Sequence, residues 1–181
     1  MDITRFSDLR EISANLSIRL MSYGNSTDDE IVFHVGTEVF KIISMKAEVN
    51  KKIFRLLLND RLKKAEYTLD IEYTAKICNS ASGGVQCYAE PSTSSNGSVS
   101  SRVVSFTTKF EPALARSFLP CWDEPSVKSV FSLTVRHSSH LKVLSNTALE
   151  EERADEGDSS VTISSFKPTP LMSAYLLALA V

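Results

Sequence analysis

The segment TTKFEPALARSFLPCWDEP, Thr107–Pro125, is the most constrained stretch of this chain. It carries three of the chain's six prolines, and each proline removes a backbone donor, so the segment does not form one continuous central strand. It also contains the single tryptophan, Trp122, which a solvated linker would lack. Its carboxylates, Glu111, Asp123 and Glu124, lie close to prolines that restrict the backbone. We therefore predict a packed, proline-braced connection between two sheets that holds acidic groups in place.

On both sides of this segment, apolar and polar residues alternate in short runs separated by turn-forming residues. The predicted strands are Ile12–Met21, Ile31–Val35, Phe40–Val49, Ile53–Leu58, Glu66–Thr74, Arg102–Phe110, Val130–Arg136, Leu141–Ser145, Val161–Phe166 and Met172–Val181, the last of them buried on both faces. No run predicts a helix longer than two turns. The pattern indicates an all-β fold, a two-sheet β-sandwich.

Two regions interrupt this alternation. Cys78–Ser101 is rich in serine, glycine and asparagine and has few apolar residues, so we predict a long functional or mobile loop there. The acidic run Glu150–Asp158 is predicted to be the solvated tip of a hairpin.

Length and composition limit the remaining possibilities. At 181 residues, 43% hydrophobic and 23% charged, the chain suits one globular domain spanning residues 1–181. Its net charge of −2 gives no reason to expect nucleic acid or an anionic membrane as a partner. The most apolar run, Leu171–Val181, has about half of the roughly 20 residues that a membrane-spanning helix needs, so we predict no membrane segment.

The three cysteines are too few for a disulfide framework or a zinc knuckle. Cys78 and Cys87 flank a glycine turn and could pair in an oxidising compartment, whereas Cys121 is predicted to be a buried free thiol. Three glycosylation sequons begin at Asn15, Asn25 and Asn96, and they favour an extracellular or plasma-membrane ectodomain setting for a glycoprotein.

The segment Thr107–Pro125 contains the pattern T-x-F-E-P-x-x-A-R-x-x-x-P-C-x-D-E-P, and three further blocks follow it in order. These blocks are P-x-x-K-x-x-F at Pro125–Phe131, L-S-N at Leu144–Asn146, and F-x-x-T-P-x-M-S-x-Y-L-L-A at Phe166–Ala178. Together they strongly resemble the N-terminal domain of zinc aminopeptidases of the aminopeptidase N type. The resemblance implies a saddle-shaped β-sandwich as the fold.

The same resemblance suggests two substrate-binding residues. In the family, the glutamate of T-x-F-E-P pairs with the free α-amine of a peptide, and here that residue is Glu111. An amine of pKa near 8 is mostly cationic at neutral pH, so a carboxylate is a suitable partner. The alternative is that Glu111 only braces the turn before Pro112. Lys109 replaces the family's usual glutamine beside the pocket for the first side chain, and it either neutralises Glu111 or points elsewhere.

The resemblance does not extend to the catalytic residues. The chain has no H-E-x-x-H motif, whose two histidines would hold zinc and whose glutamate would act as general base, and it has no G-A-M-E-N motif. His137 and His140 stand near metal-ligand spacing without a third ligand close in sequence. We therefore expect no catalytic residue, metal site or cofactor in this chain, and zinc is implied for a catalytic domain outside it.

Four further residues that match the family pattern, Arg116, Asp123, Glu124 and Lys128, are interpreted as structural. Trp122 and Tyr175 are predicted to pack in the core.

Two functional hypotheses follow. In the first, the chain is the non-catalytic N-terminal domain of a zinc aminopeptidase, because both of its ends look cut relative to the family. It would help to form the peptide-binding cleft of a protein that removes N-terminal residues from peptides, and it would be inactive alone. In the second, it is a stand-alone binding or adhesion module that kept the sandwich and lost the enzyme. An immunoglobulin-like sandwich is not supported, since the Cys…Trp…Cys order is absent.

Overall fold

The computed structural model of this chain describes residues 1, 11–21, 30–34, 47–50, 53–57, 63–77, 84–93 and 99–181. Nearly all of their regular structure is β, which confirms the predicted all-β class. The strands are β1 (Glu11–Met21), β2 (Glu30–His34), β3 (Ala47–Asn50), β4 (Ile53–Leu57), β5 (Glu66–Lys76), β6 (Val85–Thr93), β7 (Val99–Thr108), β8 (Lys128–Ser129), β9 (Thr134–Ser138), β10 (Leu144–Ser145), β11 (Leu149–Ala154), β12 (Val161–Phe166), β13 (Met172–Ser173) and β14 (Leu179–Ala180). Two single-turn 3₁₀ helices, Ala115–Ser117 and Ala174–Leu176, are the helical elements of this described part.

Every strand pair that the structure describes is antiparallel. Within the described residues the hydrogen-bonded orders are β1-β5, β10-β14-β7-β6, β11-β12-β9, β13-β8 and β2-β4-β3. The longest pair joins β1 and β5 from Glu11 opposite Lys76 to Met21 opposite Glu66. The alternation predicted for these two strands is confirmed, because Leu69, Ile71 and Tyr73 are buried while their neighbours Asp70 and Glu72 are exposed.

The prediction of a loop at Cys78–Ser101 is wrong for the described part of this region, residues 84–93 and 99–101. Strand β6 occupies Val85–Thr93 and pairs with β7 from Val85 opposite Thr108 to Thr93 opposite Val99. Strand β6 is the last strand of its sheet among the described strands, and the side chains of residues 88–91 are exposed. Backbone pairing with β7 therefore holds it in place, and such an edge position needs no apolar alternation and tolerates a proline such as Pro91.

The acidic run Glu150–Asp158 is also more ordered than predicted. Its first part lies within β11, all six of whose side chains are exposed, and only residues 155–160 form the hairpin tip. Strand β11 is the outer strand of the order β11-β12-β9, where charged side chains discourage pairing with other molecules. A strand that buries no side chain leaves no apolar pattern in the sequence.

The C-terminal run Met172–Val181 was wrongly predicted to be one doubly buried strand. It divides into β13, a 3₁₀ turn and β14, because β13 pairs with β8 while β14 pairs with β10 and β7. The chain thus moves from one sheet to another within ten residues. An apolar sequence predicts burial, but it does not predict which strand supplies the hydrogen bonds.

Other strand boundaries differ by smaller amounts. The strand predicted at Val130–Arg136 begins at Thr134, and the one predicted at Leu141–Ser145 is limited to Leu144–Ser145. Most of the predicted strand Phe40–Val49 lies outside the described residues.

The buried core lies between the β1–β5 pair, the β7 sheet and the proline-braced segment. Its largest fully buried side chains include Phe106, Phe110, Ile12, Ile77 and Val135. Trp122 and Tyr175 are partly buried and pack against this core. Among the described residues, no helix has the length and apolar character needed to cross a membrane.

Candidate functional site

Glu111 lies on a turn that begins where β7 ends. The backbone N–H of Lys109 donates to the carbonyl of Gly84 at 2.9 Å, which extends the contact between the two strands of the hairpin. Phe110 then points inward and is 2% exposed, and the Glu111–Pro112 peptide bond is cis. The N–H of Leu114 donates back to the carbonyl of Phe110 at 2.7 Å. The backbone around Glu111 is therefore closed into a defined turn with its carboxylate facing outward.

Buried apolar residues support this turn from below. The ring centroids of Phe110 and Phe118 lie 5.4 Å apart in a tilted arrangement, and Ala115 and Leu119 are buried beside them. The hydroxyl of Ser117 donates to the carbonyl of Leu114 at 2.6 Å. The turn thus rests on packed core rather than on solvent, so the position of Glu111 is fixed relative to the sheet.

Lys109 and Glu111 are both exposed and flank the buried Phe110. Within the described residues, neither side chain forms a hydrogen bond or an ion pair, and they do not form one with each other. Of the two alternatives for Lys109, direct neutralisation of Glu111 is therefore not the arrangement seen. The side chain of Glu111 is exposed, with the cationic Lys109 two residues away.

Arg116 and Asp123 clamp the two ends of the proline-braced segment. Arg116 Nε donates to Asp123 Oδ2 at 2.9 Å, the backbone N–H of Arg116 donates to the same oxygen at 3.2 Å, and Arg116 Nη2 donates to the Asp123 carbonyl at 3.1 Å. The Asp123 side chain is 1% exposed and that of Arg116 is 20% exposed. The structural interpretation of these two residues is confirmed, and it also explains why Arg116 is not a partner of Glu111.

The sequence blocks that follow the segment bind back to it. The hydroxyl of Ser173 donates to the carbonyl of Pro125 at 2.7 Å, and Lys128 lies opposite Ser173 in the β8–β13 pair. Phe131 and Thr169 exchange two hydrogen bonds, of 2.9 and 3.0 Å. The blocks recognised separately in the sequence therefore form one contiguous structure.

Asn146 makes a similar connection to the residues at the end of the second 3₁₀ turn. Its Oδ1 accepts from the N–H of Ala178 at 2.7 Å, and its Nδ2 donates to the carbonyl of Leu176 at 2.9 Å. The neighbouring Ser145 hydroxyl donates to the carbonyl of Ala178 at 2.9 Å. The side-chain amide of Asn146 therefore bonds to the backbone as a neighbouring strand would, at the point where the chain leaves the 3₁₀ turn Ala174–Leu176.

The cysteines fall into two classes. Cys121 is a free, buried thiol, and burial, with a further contribution from the nearby Asp123 carboxylate, raises its pKa well above the usual range. Burial raises the pKa of Tyr73 in the same way. Cys87 is disulfide-bonded, while Cys78 lies outside the described residues. Of the three sequons, Asn15 is exposed on β1, and Asn25 and Asn96 lie outside the described residues.

The histidine pair does not form a metal centre. His137 is buried, and its two ring nitrogens lie 3.0 Å from the carbonyl of Ser138 and 2.8 Å from the hydroxyl of Ser164. His140 is exposed at a turn. In the part of the chain that the structure describes, no three or more histidine, cysteine, aspartate or glutamate side chains come together as metal ligands. These residues do not fit a zinc ion, and no step through zinc is assigned to them.

A cavity of about 690 Å³ lies apart from Glu111, between β1 and residues 127–132. Leu16, Ile18, Trp122, Lys128 and Phe131 are among its lining residues. Neither Lys109 nor Glu111 lines it, so the predicted substrate residues and the large cavity are separate features.

Comparison with known proteins identifies a match over nearly the whole chain. The family model described as the peptidase M1 N-terminal domain matches residues 10–176. Probable aminopeptidase 2 of Sulfurisphaera tokodaii is 34% identical over 157 residues, covering 86% of this chain and 18% of that protein. Aminopeptidase N of Rattus norvegicus is 33% identical over 118 residues, covering 65% of this chain and 11% of that protein. Aminopeptidase M1 of Arabidopsis thaliana is 42% identical over 74 residues, covering 41% and 8%. The chain therefore spans less than a fifth of the length of these relatives.

Proposed function

The chain belongs to the peptidase M1 N-terminal domain family, and from that premise we propose that Glu111 binds the free N-terminal amine of a peptide. The cleft for that peptide would form between this domain and a catalytic zinc domain of the same protein. The observation that carries the proposal is the turn at Glu111, which presents an exposed carboxylate on a packed support.

Charge and geometry support this role. Glu111 has no hydrogen-bond or ion-pair partner among the described residues, whereas Asp123, the buried carboxylate of the same segment, is held by Arg116. A cationic amine that approaches Glu111 therefore does not compete with a partner from the described part of the chain. It would gain a charge-assisted hydrogen bond, which strengthens as the rest of a cleft excludes water.

Lys109 limits the affinity of this site for a cationic peptide amine. Lys109 is exposed and stands two residues from Glu111, so its ammonium group repels a second cation that approaches this turn. We propose that it lines the pocket for the first side chain of the peptide, and that it disfavours substrates whose first side chain is basic.

The activity of the whole protein belongs to the same proposal. The matched relatives are named aminopeptidases, and we propose that the assembled protein removes N-terminal residues from peptides. A zinc ion held by the catalytic domain would activate the attacking water there. The part that this chain's own residues play is to bind and orient the amine, which determines the end of the peptide that is cleaved.

Peptide binding to the purified 181-residue chain tests the role of Glu111. A peptide with a free N-terminal amine is compared with its acetylated form in wild type, Glu111→Ala and Glu156→Ala. The last variant removes an exposed carboxylate of the same charge from the β11–β12 turn. We expect about tenfold tighter binding of the free amine, equivalent to about 1.4 kcal/mol, that is lost only in Glu111→Ala.

The outcomes separate the two hypotheses. Discrimination by this chain alone favours a binding module that works without a catalytic domain. If neither peptide binds, the same comparison is made in the protein assembled with its catalytic domain, where Glu111→Ala is expected to raise KM for free-amine substrates. Discrimination that survives Glu111→Ala in both settings contradicts the proposal.

A further inference from the structure

The sequon Asn15-Leu16-Ser17 lies in the middle of β1, with its two polar residues on one face of the strand. Successive side chains of a strand point to opposite faces, so Asn15 and Ser17 stand on the same side while Leu16 stands on the other. Asn15 and Ser17 are exposed, and Leu16 is partly buried. The two residues that define an N-glycosylation acceptor are therefore both presented to solvent.

Backbone pairing with β5 fixes the direction in which the Asn15 side chain points, because Asn15 lies opposite Glu72 in an unbroken antiparallel register. Its nearest neighbours on this face of the pair are all polar, namely Ser13, Ser17, Asp70, Glu72 and Thr74. A face without apolar side chains gains little from burial against another protein. A bulky hydrophilic oligosaccharide, in contrast, leaves these groups in water.

The Asn15 side chain has no evident part in holding the strand. Asparagine is depleted in strands, and the Asn15 amide makes no hydrogen bond to another described residue. Asn146 differs, because both ends of its amide bond to the backbone of Leu176 and Ala178. Asn146 is followed by threonine and alanine and so forms no sequon. The asparagine that stabilises the fold thus stands outside a sequon, and the one within a sequon makes no such bonds.

Cys87 gives independent evidence for the compartment in which the chain matures. It is disulfide-bonded, and it lies on β6 opposite the buried Phe106. Disulfides persist in secreted and extracellular proteins and are rare where cellular thiols keep cysteines reduced. Asparagine-linked glycans are likewise found on secreted proteins. The disulfide and the exposed sequon therefore point to the same oxidising route.

We propose that Asn15 carries an asparagine-linked oligosaccharide. The co-reactant is an oligosaccharide joined through a diphosphate to a membrane lipid, and a glycosyltransferase of the secretory route supplies it. A bond forms between Asn15 Nδ2 and the anomeric carbon of the first sugar, and the bond from that carbon to the diphosphate oxygen breaks. The lipid diphosphate leaves, and the amide proton passes to a base of the transferase. This modification goes beyond amine binding at Glu111 and does not depend on it.

The test uses the protein purified from the cells that produce it naturally. Trypsin cleaves after Arg10 and Arg19, so the peptide of residues 11–19 contains Asn15 as its only asparagine. Peptide-N-glycanase in heavy-oxygen water removes the oligosaccharide and converts the linked asparagine to a labelled aspartate. We expect mass spectrometry to find an oligosaccharide on this peptide before treatment and the label at position 15 after it. The peptide of residues 143–153, which contains Asn146, should carry neither.

Matched variants expressed in the same cells test the sequon itself. Ser17→Ala removes the hydroxyl that the acceptor requires and should abolish the oligosaccharide, whereas Ser13→Ala removes an exposed hydroxyl from the same face and should keep it. Glu111→Ala should also keep it, so failure here and failure of the amine anchor are distinguishable. An unmodified Asn15 in the natural protein overturns the proposal, whether Cys87 is oxidised or reduced. A label that survives Ser17→Ala, or that forms without the glycanase, also overturns it, because spontaneous deamidation would then be its source.

Discussion

Gly84 lies directly against Ser117. A Cβ atom built on Gly84 would stand 2.2 Å from Ser117 Oγ and 2.9 Å from the carbonyl oxygen of Leu114. The carbonyl of Gly84 also accepts from the N–H of Lys109. The start of β6 therefore touches both sides of the turn that carries Glu111, and only a residue without a side chain permits this approach.

Substitution of Gly84 by alanine tests this contact. We expect Gly84→Ala to lower the free energy of unfolding by about 2 kcal/mol, because one of the two nearest atoms is backbone and cannot rotate away. Chemical denaturation measures the change. Gly157→Ala is the matched control, since its added Cβ meets nothing closer than 3.4 Å and should change stability by less than about 0.5 kcal/mol. Equal effects of the two variants would show that the contact at Gly84 relaxes without cost.

The supporting contacts around this turn differ in how well the sequence predicts them. The prolines and aromatic residues of Thr107–Pro125 predict a braced connection, and the Arg116–Asp123 clamp confirms that interpretation. Gly84 carried no comparable signal, because it stands in a serine- and glycine-rich region that indicates a loop. Its role depends on residues 30 positions later in the chain, and a local pattern does not encode such a distant contact.

The Arg116–Asp123 pair should be the most sensitive charged site of the segment. Arg116→Met leaves the carboxylate of Asp123 buried without its guanidinium partner, so we expect a loss of about 3 kcal/mol of unfolding free energy. Arg19→Met is the control, because the Arg19–Glu66 pair is exposed and should contribute less than about 1 kcal/mol. Urea denaturation of both variants at neutral pH provides the comparison. A smaller loss for Arg116→Met than for Arg19→Met would contradict the structural role.

Asn146 is expected to hold the carboxyl-terminal strands through both ends of its amide. Asn146→Asp keeps the shape and the acceptor for Ala178 but places an oxygen opposite the carbonyl of Leu176. We expect a loss of about 2 kcal/mol at pH 7 that becomes smaller in acid, where a protonated aspartate donates again. Thermal unfolding at pH 7 and pH 4 measures the difference. A loss independent of pH would indicate that the donor bond to Leu176 contributes little.

The Arg136–Asp155 pair gives the domain an acid-sensitive contact. Hydrogen bonding from Arg136, together with the N–H of Gly157, lowers the pKa of Asp155 below its usual 3.8. A carboxylate whose pKa is depressed in the folded state stabilises the fold above its unfolded pKa, and that stabilisation is lost as the pH falls through the folded value. Asp155→Asn should therefore be less stable than wild type at pH 6 and equally stable well below pH 4. Unfolding curves over this range would refute the expectation if the difference were constant.

Sequence and structure agree best where a strand buries one face. The alternation in Glu66–Thr74 gives the correct strand and the correct inward face, since Leu69, Ile71 and Tyr73 are buried. They disagree at β6 and β11, whose exposed side chains leave hydrogen bonding as the main source of order. The cavity between β1 and residues 127–132 was not predicted, because it results from how segments distant in sequence pack together. The role of Glu111 could be inferred only through the resemblance, since composition does not distinguish an anchoring glutamate from a bracing one.

Lys109 provides the most direct test of the electrostatics at the proposed amine site. Lys109→Gln removes the cation two residues from Glu111 and leaves the backbone bond to Gly84 intact. We expect free-amine peptides to bind about threefold tighter, because one like charge is removed from the site, and we expect the gain to shrink as salt screens the charges. Lys142→Gln is the control for net charge. The binding assay is that used for Glu111, repeated at low and high ionic strength. An equal gain in peptide affinity in both lysine variants would assign the effect to overall charge. A gain in affinity that persists for the acetylated peptide would show that Lys109 acts on the first side chain rather than on the amine.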